Sequence, residues 1–273
     1  TGCAAGETDR PQIVVSTNIM GDIVTELAGS SADVTVLMQP NADPHSFGVS
    51  AQQSVAMADA DLLVSSGLGL EEGLQKHLDA AVAAGAPTFV AGEHLDVLDY
   101  ADGVPDPHFW TDPARTIDVV GALADALIEV DGIDQAAVED AASAYLAELE
   151  TLDADMTSAF EGIPSERRNL VTNHHVFGYL AERFEFTIIG TVIPGATTLA
   201  APSAADLRDI VDAVTEAGVP TVFADSSQPD RLMQVLASEA GIDVAVVPLF
   251  TESLTEPSGD APTYLDMMRV NTQ

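Results

Sequence analysis

Six histidines stand in this 273-residue chain, and three of them sit where metal chemistry could be done. His45 closes the run Gln39-Pro40-Asn41-Ala42-Asp43-Pro44-His45, and His108 stands in Asp106-Pro107-His108-Phe109-Trp110-Thr111-Asp112-Pro113. His174 ends Val171-Thr172-Asn173-His174, and Glu252 follows a β-rich run that stops at Leu249. Three imidazoles and a carboxylate form a borderline-hard donor set. Such a set suits Zn²⁺ in tetrahedral geometry and tolerates Mn²⁺ or another first-row ion. The Asp-Pro-His context occurs at both His45 and His108. Proline fixes its own φ and biases the residue before it to extended geometry, so both loops are stiff. A stiff loop loses less entropy when its imidazole captures a ligand.

Two competitions stay open at this level. Neighbours leaving a strand point to opposite sides, so only one of His174 and His175 can reach a shared cleft. Asp225 follows the strand-like run Thr221–Ala224 and competes with Glu252. His77, in an amphipathic helical run, and His94, beside Glu93, read as structural or solvated. Phe109 and Trp110 read as packing behind His108, and Met267 and Met268 as core of the last helix.

The elements that must carry these donors follow a β-α rhythm. Ile13–Ser16, Val34–Met38, Leu62–Ser65 and Thr88–Ala91 read as strands. Helical patterns fall at Gly21–Ala28, in a run ending near Ala60, and at Glu71–Ala84. The second half repeats the pattern, with strands at Leu170–Thr172, Phe186–Val192, Thr221–Ala224 and Val244–Leu249. Its helices fall at Val176–Arg183, Ala204–Ala217, Pro229–Ala240 and Thr263–Arg269, and Ser203 with Asp206 signals a cap. Between the halves, Gln135–Phe160 contains no Gly or Pro and repeats Val138, Ala142, Tyr145, Leu146, Leu149 and Leu152 at helical spacing. A continuous helix there is about 39 Å long and acts as a rigid strut.

The expected fold class is therefore α/β: two lobes, each with a roughly four-stranded parallel sheet flanked by helices, joined by a long rigid helix. The expected divisions are an N-terminal tether at 1–11, a lobe at 12–133, the connecting helix at 134–162 and a second lobe at 163–273. In open parallel sheets, ligands bind at the carboxyl ends of the strands. His45, His108, His174 and Glu252 all lie just past such ends, two from each half.

The chain carries 44 acidic residues against 9 basic ones, a formal net charge of −35. Such a surface repels nucleic acid and anionic lipid and concentrates cations, so no nucleic-acid partner is expected. Cys3 is the only cysteine, which excludes an internal disulfide and a thiolate-rich metal site. Its context, Thr1-Gly2-Cys3-Ala4-Ala5-Gly6, resembles the lipidated cysteine of a bacterial lipoprotein. An acyl anchor there would tether the chain to the outer face of a membrane.

At these residues the sequence resembles the cluster A-I, or zinc- and manganese-type, solute-binding proteins of bacterial metal ABC transporters. The resemblance runs from about Ile13 to Asn271. It rests on the two Asp-Pro-His segments, on Val171-Thr172-Asn173-His174 with Phe177-Gly178-Tyr179, on Ala201-Pro202-Ser203, and on Tyr264-Leu265-Asp266-Met267-Met268. It implies one divalent metal held between two lobes by His45, His108, His174 and Glu252, and so favours His174 over His175 and Glu252 over Asp225. Most members carry Asp at the Glu252 position. The His-rich loop of many zinc-specific members is absent here, while a third histidine is a zinc-type feature.

The resemblance implies a monomeric, extracytoplasmic capture protein that delivers metal, zinc first and manganese next, to an ABC permease and catalyses nothing. The alternative is a zinc-dependent hydrolase using the same three histidines with Glu252 as base. No His-Glu-x-x-His helix or nucleophile motif supports it. A haem or siderophore carrier would need a cleft rich in Tyr and Arg, which this chain does not offer.

Overall fold

The computed structural model describes residues 10–101, 103–193, 195–240 and 244–273. The tether expected at 1–11 and the lipidated Cys3 therefore lie outside the described residues, apart from Arg10 and Pro11. In the first half β1 (Gln12–Val15), α1 (Asn18–Ala28), β2 (Asp33–Val36), α2 (Ala51–Ala58), β3 (Leu62–Ser65), α3 (Gln75–Ala84) and β4 (Thr88–Val90) follow one another. The strands form a parallel sheet in the order β2-β1-β3-β4. Ile13, Val14, Val15, Leu62, Leu63 and Val64 are all buried, as a sheet covered on both faces requires.

A short hairpin, β5 (Asp99–Ala101) with β6 (Val104–Pro105), then leads to the His108 segment and to α4 (Pro113–Ile128). The sequence reading assigns no element to α4. Its start is nonetheless encoded: Asp112 caps it, accepting from Ala114 N, and Pro113 occupies the first turn. Helix α3 begins four residues later than the pattern suggests. Glu71 turns inward instead, and its carboxylate accepts from Ser16 Oγ, Ser66 N and Gly67 N.

The long helix is present as α5 (Gln135–Glu161). Its buried face is Val138, Ala142, Tyr145, Leu149, Leu152, Met156 and Phe160, while Leu146 is half-buried. This face joins one continuous core with α1, α4 and the last helix. Packing along its length, more than helix propensity, stabilises α5.

The second half runs through β7 (Asn169–Thr172), α6 (Gly178–Phe184), β8 (Thr187–Thr191), α7 (Ala204–Ala217), β9 (Thr221–Asp225), α8 (Arg231–Glu239), β10 (Ala245–Leu249) and α9 (Tyr264–Thr272). Ser203 and Asp206 form the capping box that opens α7. The strand order β8-β7-β9-β10 repeats that of the first sheet: second, first, third, fourth. Both sheets are parallel, so each reverses its order between its first and third strands, where side chains from several loops can meet. Met267 and Met268 are buried in the shared core, as expected. No described helix is long and apolar enough to cross a membrane.

Candidate metal centre

The two Asp-Pro-His segments fold alike. Asp43 Oδ1 accepts the backbone N–H of His45 at 2.9 Å, and Asp106 Oδ1 accepts that of His108 at 3.1 Å. Each carboxylate thus bridges its proline and fixes the backbone from which the imidazole projects. Asn41 enters the first segment with φ +59°, a left-handed conformation that Asn tolerates. Past His108 a tight turn, Phe109–Thr111, leads directly into the Asp112 cap of α4. Trp110 packs edge-on against the His108 ring at 5.4 Å.

His45, His108, His174 and Glu252 converge. One donor atom from each lies within 4.8 Å of the others, and all four side chains are buried. Glu252 Oε1 is the shared focus: His45 Nε2 lies 2.8 Å from it, His108 Nε2 3.2 Å and His174 Nε2 3.1 Å. The His174 approach is off the hydrogen-bonding direction, so both nitrogens of its ring lack a hydrogen-bond partner, as do His45 Nδ1 and Glu252 Oε2. Tetrahedral zinc with bonds of about 2.1 Å sets its donor atoms about 3.4 Å apart. The four donor atoms, all within 4.8 Å of one another, lie near that spacing.

The competing side chains have other partners. His175 Nε2 lies 3.3 Å from Asp106 Oδ2, and its ring 4.7 Å from that of Tyr100. Asp225 is buried beside the cluster but outside it. Its oxygens accept from Thr251 Oγ1 and Ser227 N, each at 2.6 Å. His77 Nδ1 meets Ser54 Oγ, and His94 stacks on Phe89; neither approaches the centre.

Asp106 has a role that the sequence reading missed. Its Oδ1 also takes His108 Nδ1, at 2.7 Å, which leaves Nε2 as the atom aimed at the cluster. The repeated Asp-Pro-His spacing was the available signal. Gly178 makes room for this carboxylate, since a Cβ there would overlap Asp106 Oδ2 and His175 Nε2. Asp43 does not hold the ring of His45 in the same way. Its second oxygen takes Ser46 Oγ and Thr198 Oγ1, and the nearest carboxylate to His45 Nδ1 is Glu72, at 3.8 Å.

Burial and close neighbours act in opposite directions on these ionisable groups. Burial alone would push Glu252 up, but His174, His108 and His45 together hold it well below the ordinary carboxylate range. Among the described residues no Lys or Arg pairs with it. Burial pushes His108 down, yet its bonds to Asp106 and Glu252 outweigh that and raise it to about 9. Burial lowers His174, and Glu252 only partly opposes this. Asp225 is pushed up to about 7 by burial and then by the charge of Glu252. Among the described residues the buried carboxylate of Glu252 is thus faced by imidazoles and by no Lys or Arg.

A separate cavity of about 360 Å³ is lined by Phe160, Phe186, Phe223, Leu249 and Phe250 among others. It is apolar and includes none of the four converging residues.

The profile of a protein family described as "Zinc-uptake complex component A periplasmic" matches residues 13–273. A manganese-binding lipoprotein, MntA, of Halalkalibacterium halodurans is 29% identical over 280 residues, covering 99% of this chain and 91% of its own. The iron-binding protein YfeA of Yersinia pestis is 26% identical, covering 95% of this chain and 83% of its own. The solved periplasmic zinc-binding protein TroA of Treponema pallidum superposes with a TM-score of 0.90 at 24% identity, over 96% of each chain.

Proposed function

Because this chain belongs to the ZnuA family of periplasmic metal-uptake components, we propose that it captures one divalent transition metal, zinc foremost, through His45, His108, His174 and Glu252. It is a metal-binding, substrate-binding protein of an ABC importer and works outside the cytoplasm. It is not an enzyme, so the hydrolase alternative falls. Lipid anchoring through Cys3 belongs to the same proposal, and the Halalkalibacterium relative is named a lipoprotein.

The observation that carries the ligand assignment is the approach of three buried imidazole Nε2 atoms to the single oxygen Glu252 Oε1. A metal in their midst replaces the proton-mediated contacts with coordinate bonds. It also satisfies the unpartnered Glu252 Oε2 or His174 Nε2. One copy of the chain supplies the whole donor set, in keeping with a monomer. In this reading residues 12–133 and 163–273 act as the two lobes and 134–162 as the helix between them.

Zinc is favoured by the donor chemistry: three imidazoles and one carboxylate in a closed, four-donor site. The relatives do not agree on cargo, being named for manganese, iron and zinc. Because nitrogen and oxygen sites generally bind Zn²⁺ more tightly than Mn²⁺, affinity alone does not identify the cargo. Elemental analysis of protein purified without added metal tests the zinc assignment, with Zn²⁺/Mn²⁺ competition as its complement. Zinc at one equivalent is expected; manganese retained despite available zinc would overturn it.

The ligand assignment has its own test. His108→Ala should lose most of the zinc affinity in isothermal titration at neutral pH, and parent-like binding would refute it. Imidazole must be neutral to coordinate, so parent affinity should fall steeply as the solution is acidified.

A further inference from the structure

Glu252 follows a strand of the second sheet, yet the segment that carries it is held largely by the first half of the chain. Asn18, at the start of α1 and 8% exposed, is the centre of this attachment. Its Oδ1 accepts the backbone N–H of Leu254 at 3.0 Å. Its Nδ2 donates to Ser253 Oγ at 2.8 Å and to the carbonyl of Gln39 at 3.2 Å. Asn41 N, two residues beyond Gln39, donates to Leu254 O at 2.9 Å. One amide side chain therefore ties the residues after Glu252 to the loop that presents His45.

We infer that Asn18 is a positioning residue for metal capture, fixing the depth at which the Glu252 carboxylate enters the cluster of imidazoles. The inference rests on the metal-site reading above and extends it to a residue that touches no metal. Glutamate has one more rotatable bond than aspartate, so its oxygen can occupy a wider volume unless the backbone beneath it is fixed. Asn18 supplies that constraint on the downstream side. Thr251, with its hydroxyl on Asp225 and its carbonyl taken by Trp110 Nε1, supplies it on the upstream side. An amide is the side chain suited to the position, because it must accept from one backbone group and donate to two oxygens at once.

A double-mutant cycle on the full chain tests this, read as Zn²⁺ affinity by competition with a chromogenic chelator. Asn18→Ala should weaken zinc about ten- to hundredfold, the range for groups that orient metal ligands. It should cost little further in a Glu252→Ala background, while in a His174→Ala background its cost should persist. Bound Co²⁺ should show a weakened visible absorption in Asn18→Ala, reporting a changed coordination geometry. Asn18→Asp, which keeps the acceptor for Leu254 N, should recover part of the loss.

If Asn18→Ala folds poorly, Ser253→Ala removes one contact of the clasp and should give a smaller loss that also vanishes without Glu252. Parent-like affinity in Asn18→Ala, or an equal loss with and without Glu252, would overturn the inference. Should Glu252→Ala and His108→Ala both bind zinc like the parent, the metal-site reading itself fails, a result distinct from failure of the Asn18 role alone.

Discussion

Asp106 holds His108 twice, accepting its backbone N–H at 3.1 Å and its ring Nδ1 at 2.7 Å with the same oxygen. The carboxylate thereby sets both the position of the imidazole and which of its nitrogens faces Glu252. Its own ionisation is secured in return: burial opposes it, but His108 and His175 outweigh burial and keep Asp106 below the usual carboxylate range. Asp106→Asn removes that charge at nearly constant volume. Zinc affinity should fall about ten- to hundredfold, measured by chelator competition; an unchanged affinity would show that the charge of Asp106 plays no part in holding the ring.

Gly178 faces the other side of the same carboxylate. Gly178→Ala places a methyl group where Asp106 Oδ2 and His175 Nε2 now sit, and both belong to well-packed surroundings that give way only at a cost. Zinc affinity should drop by roughly tenfold. In an Asp106→Ala background most of that penalty should vanish, because the nearer of the two obstructing atoms is then gone. A penalty that survives intact in the double variant argues against steric displacement of Asp106.

Trp110 Nε1 donates to the carbonyl of Thr251 at 2.7 Å, and Thr251 is buried. Trp110→Phe keeps an aromatic ring but leaves that carbonyl without its donor. A loss of about 1–3 kcal/mol in unfolding free energy is expected, from denaturant titration of chelator-treated protein. A loss below a few tenths of a kcal/mol would mean that the carbonyl finds another partner.

Asp22 gives the fold a pH dependence of its own. Burial pushes its carboxyl up to about 6; the Tyr264 N–H it accepts pulls the other way, and Glu26 and Asp266 add to the rise. The folded state thus prefers the protonated form. Its contribution is fully present below the unfolded value of about 3.9 and is lost as pH rises through about 6. Asp22→Asn, whose amide oxygen can still accept from Tyr264 N, should stabilise the chelator-treated protein by about 1–3 kcal/mol at pH 8. The gain should shrink toward pH 4. A constant difference across that range would remove Asp22 titration as its cause.

Much of the architecture was legible because parallel strands buried on both faces read as short apolar runs, and the helices between them as amphipathic repeats. Elements β1, β3, β7 and β9 fall within a residue or two of their sequence-based limits. The stripe Val138 to Phe160 reads directly as α5. Helix α4 went unread although Asp112-Pro113 marks its start. The late beginning of α3 was not readable, because it depends on Glu71 finding Ser16 and Ser66, which the sheet alone brings near.

By itself the sequence determined which residue types stand past strand ends, how Asp-Pro stiffens the loops presenting His45 and His108, and that no thiolate-rich site can form. The tertiary structure decided which neighbour faces inward. His174 and His175 are adjacent and chemically identical, and only the arrangement of α6, Asp106 and Tyr100 around them sends one ring to Glu252 and the other to Asp106. It also decided how Glu252 is held, since Asn18 and Leu254 are 236 residues apart in the chain. Local preferences act over a few residues, whereas a hydrogen bond between distant segments exists only once the core has closed around both.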